Sequence, residues 1–435
     1  MDIKKLLHVN RNCKCGKLHS CDIKDVIVEK GALKQLTDLT QMYYNILLVA
    51  DQNTFDICGK EIQMLLQPKN VDVLVYEGYN LLVPNEQAIH ELSNKVTDKT
   101  DLIIGIGSGV INDLCKYVSF IKKLPYFIVA TAPSMDGYAS NAAAMIIENM
   151  KITYDAHVPS VIIADVDILK NAPIELIKSG YGDIIGKYSA LNDWKLSRIV
   201  KDEYFCDYVY DLTYQTVKST ENLGTRLLER DEYSIKTLME ALIIVGIAMS
   251  YVGNSRPASG SEHHLSHYFE VVGLLNHNPY FLHGIDVAYS TVITAKLRKE
   301  LLDVAIPKQI IEFNKNKWEE EIQTIYAEAS SGIINLQNSL GWYADRNRMK
   351  VYMERWKEIR QVLLESPTSE DILKILDQVQ LSYNDFESLY DNEKIKDGIW
   401  YAKDLKNRYT VLWMYYDLFY GRNRKAMYYV ETIRK

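Results

Sequence analysis

Three histidines fall within five positions of the segment ASGSEHHLSH, residues 258–267. The chain has nine histidines, and five of them lie between His263 and His283. His263 and His267 are four residues apart, so on a helix they share one face and can point into the same pocket. Imidazole nitrogens bind zinc, nickel and iron, and imidazole also transfers protons near neutral pH. The segment therefore predicts a metal site, a proton-transfer site, or both.

The remaining histidines of this region differ in their expected roles. His264 lies about 100° around the helix from His263, so we interpret it as a surface or supporting imidazole. His283 precedes a glycine and opens the next predicted helix, which can bring it back over the pair. His277, in NHNPY, is typical of a solvated loop.

Carboxylate and thiolate ligands complete the set of metal-binding residue types. Two histidines alone hold a divalent ion poorly, and Asp183 in GYGDIIGKYSALNDWKLS is the best additional ligand. The alternative is that Asp183 is an acid at a helix N-terminus, stabilised by the helix dipole. A separate pattern, Cys13-x-Cys15-x3-His19-x-Cys21, has ligand residue types in a compact loop but fits no standard zinc spacing. Whether it holds a structural metal stays open.

Two glycine-containing loops follow apolar runs. GIGSGVINDLCKY begins at Gly105, and a strand, a glycine turn and a helix in this order can expose N–H groups to a phosphate. Its G-x-G-x-G spacing differs from the dinucleotide fingerprint, so a tight turn without a ligand is the alternative. TAPSMDGYAS, residues 131–140, offers Ser134 and Asp136 after the next run. Asp51 closes an earlier run, where it either accepts hydrogen bonds from an adenosine ribose or caps a helix.

The elements that must position these residues differ between the two parts of the chain. The first ~170 residues alternate amphipathic helical patterns with short apolar runs at 45–50, 71–76, 101–107, 125–131 and 160–165. Beyond residue 172 the segments are long and helical. We therefore predict an α/β N-terminal domain, residues 1–172, with a parallel Rossmann-like sheet. An all-α domain, residues 173–435, follows, with a cleft between the two.

Composition bounds the class of protein. A chain of 435 residues exceeds the usual size of a single core, which favours two domains. The net charge of −7 provides no basic footprint for nucleic acid. We find neither an uninterrupted run of 18 apolar residues nor a signal peptide, so no membrane span is predicted. Six cysteines are too few for a disulfide framework, and we expect a cytoplasmic protein.

Five segments together resemble one family. GIGSGVIND, ATAPSMDGYAS, GYGDIIGKYSALNDWKLS, SRPASGSEHHLSHYFE and LHGIDVAYSTV occur in the order found in sn-glycerol-1-phosphate dehydrogenases, which belong to the iron-containing alcohol dehydrogenase and dehydroquinate synthase superfamily. The resemblance runs from about residue 20 to the C-terminus, and CKCGKLHS resembles a segment common in the bacterial branch. It implies a dehydroquinate synthase-like fold that uses NAD(P)H and one divalent metal.

The resemblance also implies roles for individual residues. The metal ligands would be Asp183, His263 and His283. The cofactor would be bound by Gly107, Ser108, Gly109, Val110, Ile111, Thr131, Ala132, Pro133, Ser134 and Ser140, with Asp51 as a further candidate from its position. Catalysis and substrate binding would involve Asp136 and His267, and substrate would also contact Asp183 and Lys187. Lys187 stands where iron-dependent alcohol dehydrogenases carry an additional histidine, which favours zinc or nickel over iron. From charge and proximity in sequence to these motifs, rather than from the resemblance, we expect Lys187 or Arg256 to receive a phosphate.

The implied reaction is the reversible reduction of dihydroxyacetone phosphate, a small phosphorylated substrate, to sn-glycerol 1-phosphate. We also expect the protein to form a homo-oligomer. Glycerol dehydrogenase is one alternative. Another is a dehydroquinate-synthase-like cyclase, which returns the hydride to its product. A ligand-binding relative without catalysis is disfavoured by the intact Asp183 and histidines. The native metal, the choice between NADH and NADPH and the pathway stay open.

Overall fold

The computed structural model describes residues 2–7, 9–78, 82–147, 150–304, 313–345 and 347–419. The chain divides into two compact units, one formed by Met1–Ile184 with Asp211–Ser255 and the other by Ile185–Tyr210 with Arg256–Lys435. Two helices, Ile174–Lys201 and Asp207–Thr220, each continue from one unit into the other. The predicted domain boundary after residue 172 stays a prediction.

The first unit contains a six-stranded sheet in which every neighbouring pair is parallel. The described strands are, in chain order, β1 (Arg11–Asn12), β2 (Leu18–His19), β3 (Asp25–Glu29), β4 (Asn45–Asp51), β5 (Asn70–Tyr76), β6 (Leu102–Gly107), β7 (Tyr126–Ala130), β8 (Ala142–Ile147), β9 (Met150–Asp155) and β10 (Val161–Asp165). The sheet has the order β3-β10-β7-β6-β4-β5, while β1–β2 and β8–β9 form separate antiparallel hairpins. The predicted parallel sheet is confirmed.

Short helices cover the faces of this sheet. They are α1 (Leu36–Leu39), α2 (Gln52–Thr54), α3 (Lys60–Leu65), α4 (Glu86–Lys95), α5 (Gly109–Lys122) and α6 (Val166–Leu169), with a π-helical segment at Phe55–Gly59 and 3₁₀ turns at Ile3–Lys5, Ala32–Gln35 and Gly137–Ala139. Because parallel strands are covered on both faces, their side chains are apolar in continuous runs. All six residues of β6 and all five of β7 are buried.

Longer helices follow the sheet. The long helix α7 spans Ile174–Lys201, α8 spans Asp207–Thr220, α9 spans Gly224–Leu228 and α10 spans Glu232–Val252. An 18-residue window of α10 has a mean hydropathy of 1.7, enough by composition to cross a membrane, yet 78% of that window is buried within the protein. Helix α10 therefore has the features of a core helix.

Among its described residues, the second unit contains helices and their connecting loops but no strand. Its helices after the parts of α7 and α8 are α11 (Ser261–Leu275), α12 (His283–Leu302), α13 (Lys315–Tyr326), α14 (Ser330–Leu340), α15 (Asn347–Leu364), α16 (Ser369–Asp377), α17 (Tyr383–Leu389), α18 (Asn392–Tyr401) and α19 (Val411–Phe419), with 3₁₀ turns at Ala327–Ala329, Trp342–Ala344 and Ala402–Leu405. The predicted helical C-terminal part is confirmed. A buried ion pair between Arg298 of α12 and Asp193 of α7, at 2.9 Å, joins two of these helices.

Candidate metal centre and cofactor loop

Helix α7 places Asp183 well inside the helix, which begins at Ile174. The N-terminal, dipole-stabilised role considered for this residue is therefore wrong. The Asp183 side chain is fully buried, and its Oδ2 accepts the backbone N–H of Asp136 at 3.0 Å. A buried carboxylate needs such partners or a cation. The hydrogen bond brings the loop after β7 against α7.

A glycine makes this close approach of α7 and the loop possible. A Cβ atom on Gly180 would lie 1.8 Å from the carbonyl oxygen of Pro133. One residue earlier, Ser179 Oγ donates to the Ser134 carbonyl at 3.1 Å. The small residues at 179 and 180 therefore position the loop whose next residues lead to Asp136.

Helix α11 orients His263 through the residue immediately before it. His263 Nδ1 lies 2.7 Å from Glu262 Oε1, and the same oxygen accepts the Gly260 N–H at 2.7 Å. A carboxylate can only accept here, so Nδ1 carries the proton and Nε2 carries the lone pair. Burial opposes the charge of Glu262, but the hydrogen bond from His263 holds the pKa of this carboxyl below its ordinary value. Glu262 was not predicted, although its position beside His263 was a usable signal.

Helix α12 begins at His283, as predicted from the sequence. Ser266 Oγ lies 3.2 Å from His283 Nδ1 and donates to the His283 carbonyl at 3.2 Å. Because the hydroxyl proton goes to the carbonyl, Ser266 accepts from Nδ1, and Nε2 is again the nitrogen with a lone pair. The ring of His283 lies 5.1 Å from that of His263 and 5.4 Å from that of His267, measured between centroids.

Three of the predicted residues form one group of donors. Asp183, His263 and His283 each offer one ligand atom, and the three atoms lie within 4.8 Å of one another. One carboxylate oxygen and two imidazole nitrogens are a common donor set for a catalytic divalent ion. His267 lies beside the group, its ring 6.3 Å from that of His263. The residues predicted as metal ligands are therefore brought together.

The other two histidines of the segment lie elsewhere. His264 is fully buried, and neither ring nitrogen has a hydrogen-bond partner in the described structure. Burial, reinforced by the charges of Lys406 and Arg408, holds the pKa of His264 well below its usual value, so the ring is neutral. The prediction of a surface imidazole is therefore wrong, and the alternative of a supporting imidazole stays a prediction. His277 is an exposed residue with φ of 54° just after α11, as its loop sequence indicates.

The predicted cofactor loop lies between β6 and α5. Gly107 ends β6, Ser108 is the N-cap residue, and Gly109 begins the helix. The Ser108 side chain makes no capping hydrogen bond, so the first N–H groups of α5, including those of Val110 and Ile111, face the end of the loop as they would for an anion. The adjacent loop is tied to it, since the Thr131 N–H donates to the Gly107 carbonyl at 3.1 Å.

A buried lysine that the sequence analysis did not select holds the second loop. Lys116 of α5 is fully buried and donates to the Gly137 carbonyl at 2.8 Å, Ser140 Oγ at 3.0 Å and the Ala142 carbonyl at 2.9 Å. Burial lowers the pKa of Lys116, while the charge of Asp113 opposes that shift. Four further predicted cofactor residues, Thr131, Ala132, Pro133 and Ser134, are buried in the same loop.

Three charged residues complete the account of the predicted site. Asp51 caps α2, since its Oδ1 accepts the Thr54 N–H at 2.8 Å and Thr54 Oγ1 accepts the Asp51 N–H at 3.2 Å. Lys187 is fully buried, one helical turn after Asp183 in α7. Arg256 is buried and donates to both carboxylate oxygens of Glu203, at 2.7 and 2.6 Å.

Comparison with known proteins agrees with this geometry. Residues 27–173 match the family described as iron-containing alcohol dehydrogenase. A glycerol-1-phosphate dehydrogenase [NAD(P)+] of Halalkalibacterium halodurans is 29% identical over 418 residues, 94% of this chain and 97% of the relative. The protein of the same name from Geobacillus thermodenitrificans is 32% identical over 67% of this chain and 74% of the relative.

Solved structures extend the likeness to the fold. An archaeal halo-thermophilic alcohol dehydrogenase from a Red Sea brine pool superposes with a TM-score of 0.61 at 14% identity, covering 98% of this chain and 99% of that one. An iron-containing alcohol dehydrogenase from Thermococcus thioreducens gives 0.59 at 15% identity, with 92% and 99% coverage. With the donor set, the loops and these relatives together, the chain belongs to the glycerol-1-phosphate dehydrogenase family, within the iron-containing alcohol dehydrogenase fold.

Proposed function

We propose that the protein catalyses the reversible, NAD(P)-dependent reduction of dihydroxyacetone phosphate to sn-glycerol 1-phosphate. The observation that carries the proposal is the convergence of one ligand atom each from Asp183, His263 and His283 within 4.8 Å. Relatives that match most of the chain bear the name of this activity together with NAD(P)+. We assign the steps of this reaction to individual residues below.

The donor set fits a divalent cation with open coordination positions. Three protein ligands leave room for a substrate, whereas a structural site uses four. Nδ1 of each histidine is engaged, by Glu262 and by Ser266, so both Nε2 atoms are set as ligands. The resemblance puts Lys187 where iron-dependent alcohol dehydrogenases carry an additional histidine, and we therefore favour zinc or nickel over iron.

Two bound groups would supply chemistry that side chains lack. A divalent cation held by Asp183, His263 and His283 supplies Lewis-acid polarisation of the substrate carbonyl. NAD(P)H supplies the hydride. The remaining work is binding, orientation and proton transfer by residues of the chain.

The β6–α5 loop would bind the pyrophosphate of the dinucleotide through backbone N–H groups from Gly107 to Ile111. The end of β7 is adjacent to this loop, because Gly107 pairs with Ala130 in the parallel ladder. Thr131, Ala132, Pro133, Ser134 and Ser140 would then line the nicotinamide side. Lys116 positions this second loop through its three hydrogen bonds.

Three residues would act on the substrate itself. Asp136 is fixed beside the ligand Asp183 by its backbone N–H, which lets its carboxylate orient a substrate hydroxyl. His267 lies on the same face of α11 as His263, where it would deliver a proton to the C2 oxygen of the substrate. Lys187, a buried cation one turn after Asp183, would pair with the phosphate.

The test follows oxidation of the reduced nicotinamide with dihydroxyacetone phosphate and with unphosphorylated dihydroxyacetone as separate substrates. We expect a much higher kcat/KM for the phosphate ester and a product of sn-1 configuration. Equal kcat/KM values would identify a glycerol dehydrogenase instead. Absence of net nicotinamide oxidation, with turnover of a cyclisable substrate, would identify a cyclase.

Single substitutions test whether the proposed metal ligands are required for metal binding and activity. His263→Ala and Asp183→Ala should abolish activity together with one equivalent of bound metal, whereas His277→Ala, in an exposed loop, should change neither. Turnover that survives complete removal of metal contradicts the assigned role of the donor set. A cytoplasmic location and a homo-oligomeric state stay predictions.

A further inference from the structure

The N-terminal hairpin β1–β2 carries a cluster of thiols and imidazole outside the proposed active site. Its tight turn is closed by the Cys13 N–H donating to the Lys17 carbonyl at 3.1 Å and the Gly16 N–H donating to the Cys13 carbonyl at 3.0 Å. Gly16 has φ of +87°, a conformation that glycine adopts without strain. Each strand has two residues, and a hairpin this short is not stable alone.

The imidazole of His19 is set in one tautomer. Its side chain is fully buried, and Nδ1 lies 2.8 Å from the Tyr251 carbonyl oxygen. A carbonyl only accepts, so Nδ1 carries the proton and Nε2 carries the lone pair. Nε2 lies 3.4 Å from Cys15 Sγ. The ring also stacks on Tyr251 with centroids 5.5 Å apart. A backbone carbonyl that accepts one ring N–H in this way fixes the orientation of a metal-binding histidine.

A third cysteine completes the group from a distant part of the sequence. Cys206 is buried and immediately precedes α8, where its carbonyl accepts the Tyr210 N–H at 2.9 Å. Cys13, Cys15, His19 and Cys206 each offer a ligand atom, and the four atoms lie within 4.8 Å of one another. None of the chain's six cysteines forms a disulfide, and all six lie in the described residues.

The sequence pattern had included Cys21 in place of Cys206. Cys21 is buried and stands outside the group. Cys21 is therefore a matched control from the same segment.

We propose that Cys13, Cys15, His19 and Cys206 bind one zinc ion as a closed structural site, distinct from the catalytic donor set. Three thiolates and one imidazole are a standard four-coordinate zinc set, with no position left for a substrate. On binding, the three thiols lose their protons to solvent, and the thiolates bind through sulfur. The site joins the hairpin to the residue before α8. The inference does not depend on the proposed function.

The experiment measures zinc per chain by elemental analysis of the full-length protein, purified without added metal. The matched proteins are the wild type, His263→Ala/His283→Ala, Cys13→Ser/Cys15→Ser, Cys206→Ser and the control Cys21→Ala. We expect the histidine double variant to retain one equivalent of zinc. The two variants of the cysteine group should each lose one equivalent relative to the wild type, and Cys21→Ala should lose none.

Cobalt supplies a readout that does not require the cysteine variants to fold. Reconstitution of the His263→Ala/His283→Ala protein with Co²⁺ should give an intense sulfur-to-cobalt charge-transfer absorption, because the remaining site holds three thiolates. Addition of a mercurial that modifies thiols should release the metal in proportion to the number of thiols modified. A histidine double variant that contains no zinc and shows no such absorption at saturating Co²⁺ overturns the proposal. Failure of the dehydrogenase assay would leave these results unchanged.

Discussion

The carboxylate of Glu262 should control how tightly the catalytic donor set holds its metal. Glu262 is fully buried and accepts two hydrogen bonds at 2.7 Å, one from His263 Nδ1 and one from the Gly260 N–H. Glu262→Gln keeps the shape and one acceptor oxygen but removes the negative charge. It therefore tests the charge with little disturbance of packing.

The size of the effect follows from the hydrogen bond to His263. Hydrogen bonds to a charged group contribute about 1.5–3 kcal/mol and neutral ones about 0.5–1.5 kcal/mol, so neutralising the acceptor weakens this bond by roughly 1–2 kcal/mol. Since the bond supports His263 as a ligand, the metal Kd should rise by roughly 5- to 30-fold. That range overlaps the 10- to 100-fold loss, roughly, that is typical when a partner of a metal-binding histidine is removed.

The assay is competition between the protein and a chelator of known affinity. Activity at saturating metal and the thermal midpoint of the metal-free protein are measured alongside. We expect a higher metal Kd with an almost unchanged thermal midpoint of the apo protein. Glu270→Gln, on the same helix α11, is the control and should leave the Kd unchanged. If Glu262→Gln binds metal as tightly as the wild type, Glu262 does not orient the ligand and the interpretation of its short hydrogen bond is wrong.

Three further predictions concern the loops and the stability of the fold. Lys116→Met removes three buried hydrogen bonds from the ammonium group to the second loop and should lower the free energy of unfolding by about 3 kcal/mol in urea titrations, whereas Lys122→Met at the exposed end of α5 should change it little. Gly180→Ala places a Cβ 1.8 Å from the Pro133 carbonyl oxygen, so kcat/KM should fall because the loop is displaced; unchanged kinetics would show that α7 and the loop adjust freely. Burial raises the pKa of Asp397 from 3.8 to about 6, so the folded state binds this proton more tightly and stability falls as pH rises through that range. Asp397→Asn should therefore raise the thermal midpoint above about pH 6 and not below about pH 4, and an equal change at both would contradict the assigned titration.

The sheet was predictable because its strands are buried on both faces. Each of the five apolar runs selected in the sequence forms a strand, and all five lie in the six-stranded sheet. The sixth strand, β3, has only Val26, Ile27 and Val28 between two acids, too short a pattern to separate from a loop. The β8–β9 hairpin was missed for another reason. Its first strand contains three consecutive alanines, which have low strand propensity, and pairing with β9 overrides that preference.

The catalytic donors were only partly predictable from spacing. Helical periodicity puts His263 and His267 on one face, but it does not distinguish a ligand from a neighbour. Asp183 and His283 were candidates from their residue types and positions, and the resemblance to a known family selected the set Asp183, His263 and His283. Periodicity also placed His264 on another face without revealing that this face is buried. The sequence analysis did not select Lys116 because a lysine in an amphipathic helix is normally exposed. Only the fold shows that its ammonium group replaces water for three loop acceptors.

The two groups of metal ligands differ in charge and softness, and this difference predicts the order in which a chelator removes their ions. In both, a histidine Nδ1 is engaged, by the Tyr251 carbonyl for His19 and by the Glu262 carboxylate for His263. The cysteine group surrounds a divalent ion with three thiolates, soft ligands that zinc binds strongly, and closes its coordination. The catalytic group offers one carboxylate and two neutral imidazoles and leaves positions open to water and chelator. Mild chelation should therefore abolish activity while one equivalent of zinc per chain remains. Elemental analysis after each addition of chelator measures the zinc that is still bound. Loss of the sulfur-bound ion first would mean that the hairpin opens more readily than the active site exchanges its metal, contrary to the buried position of His19 and Cys206.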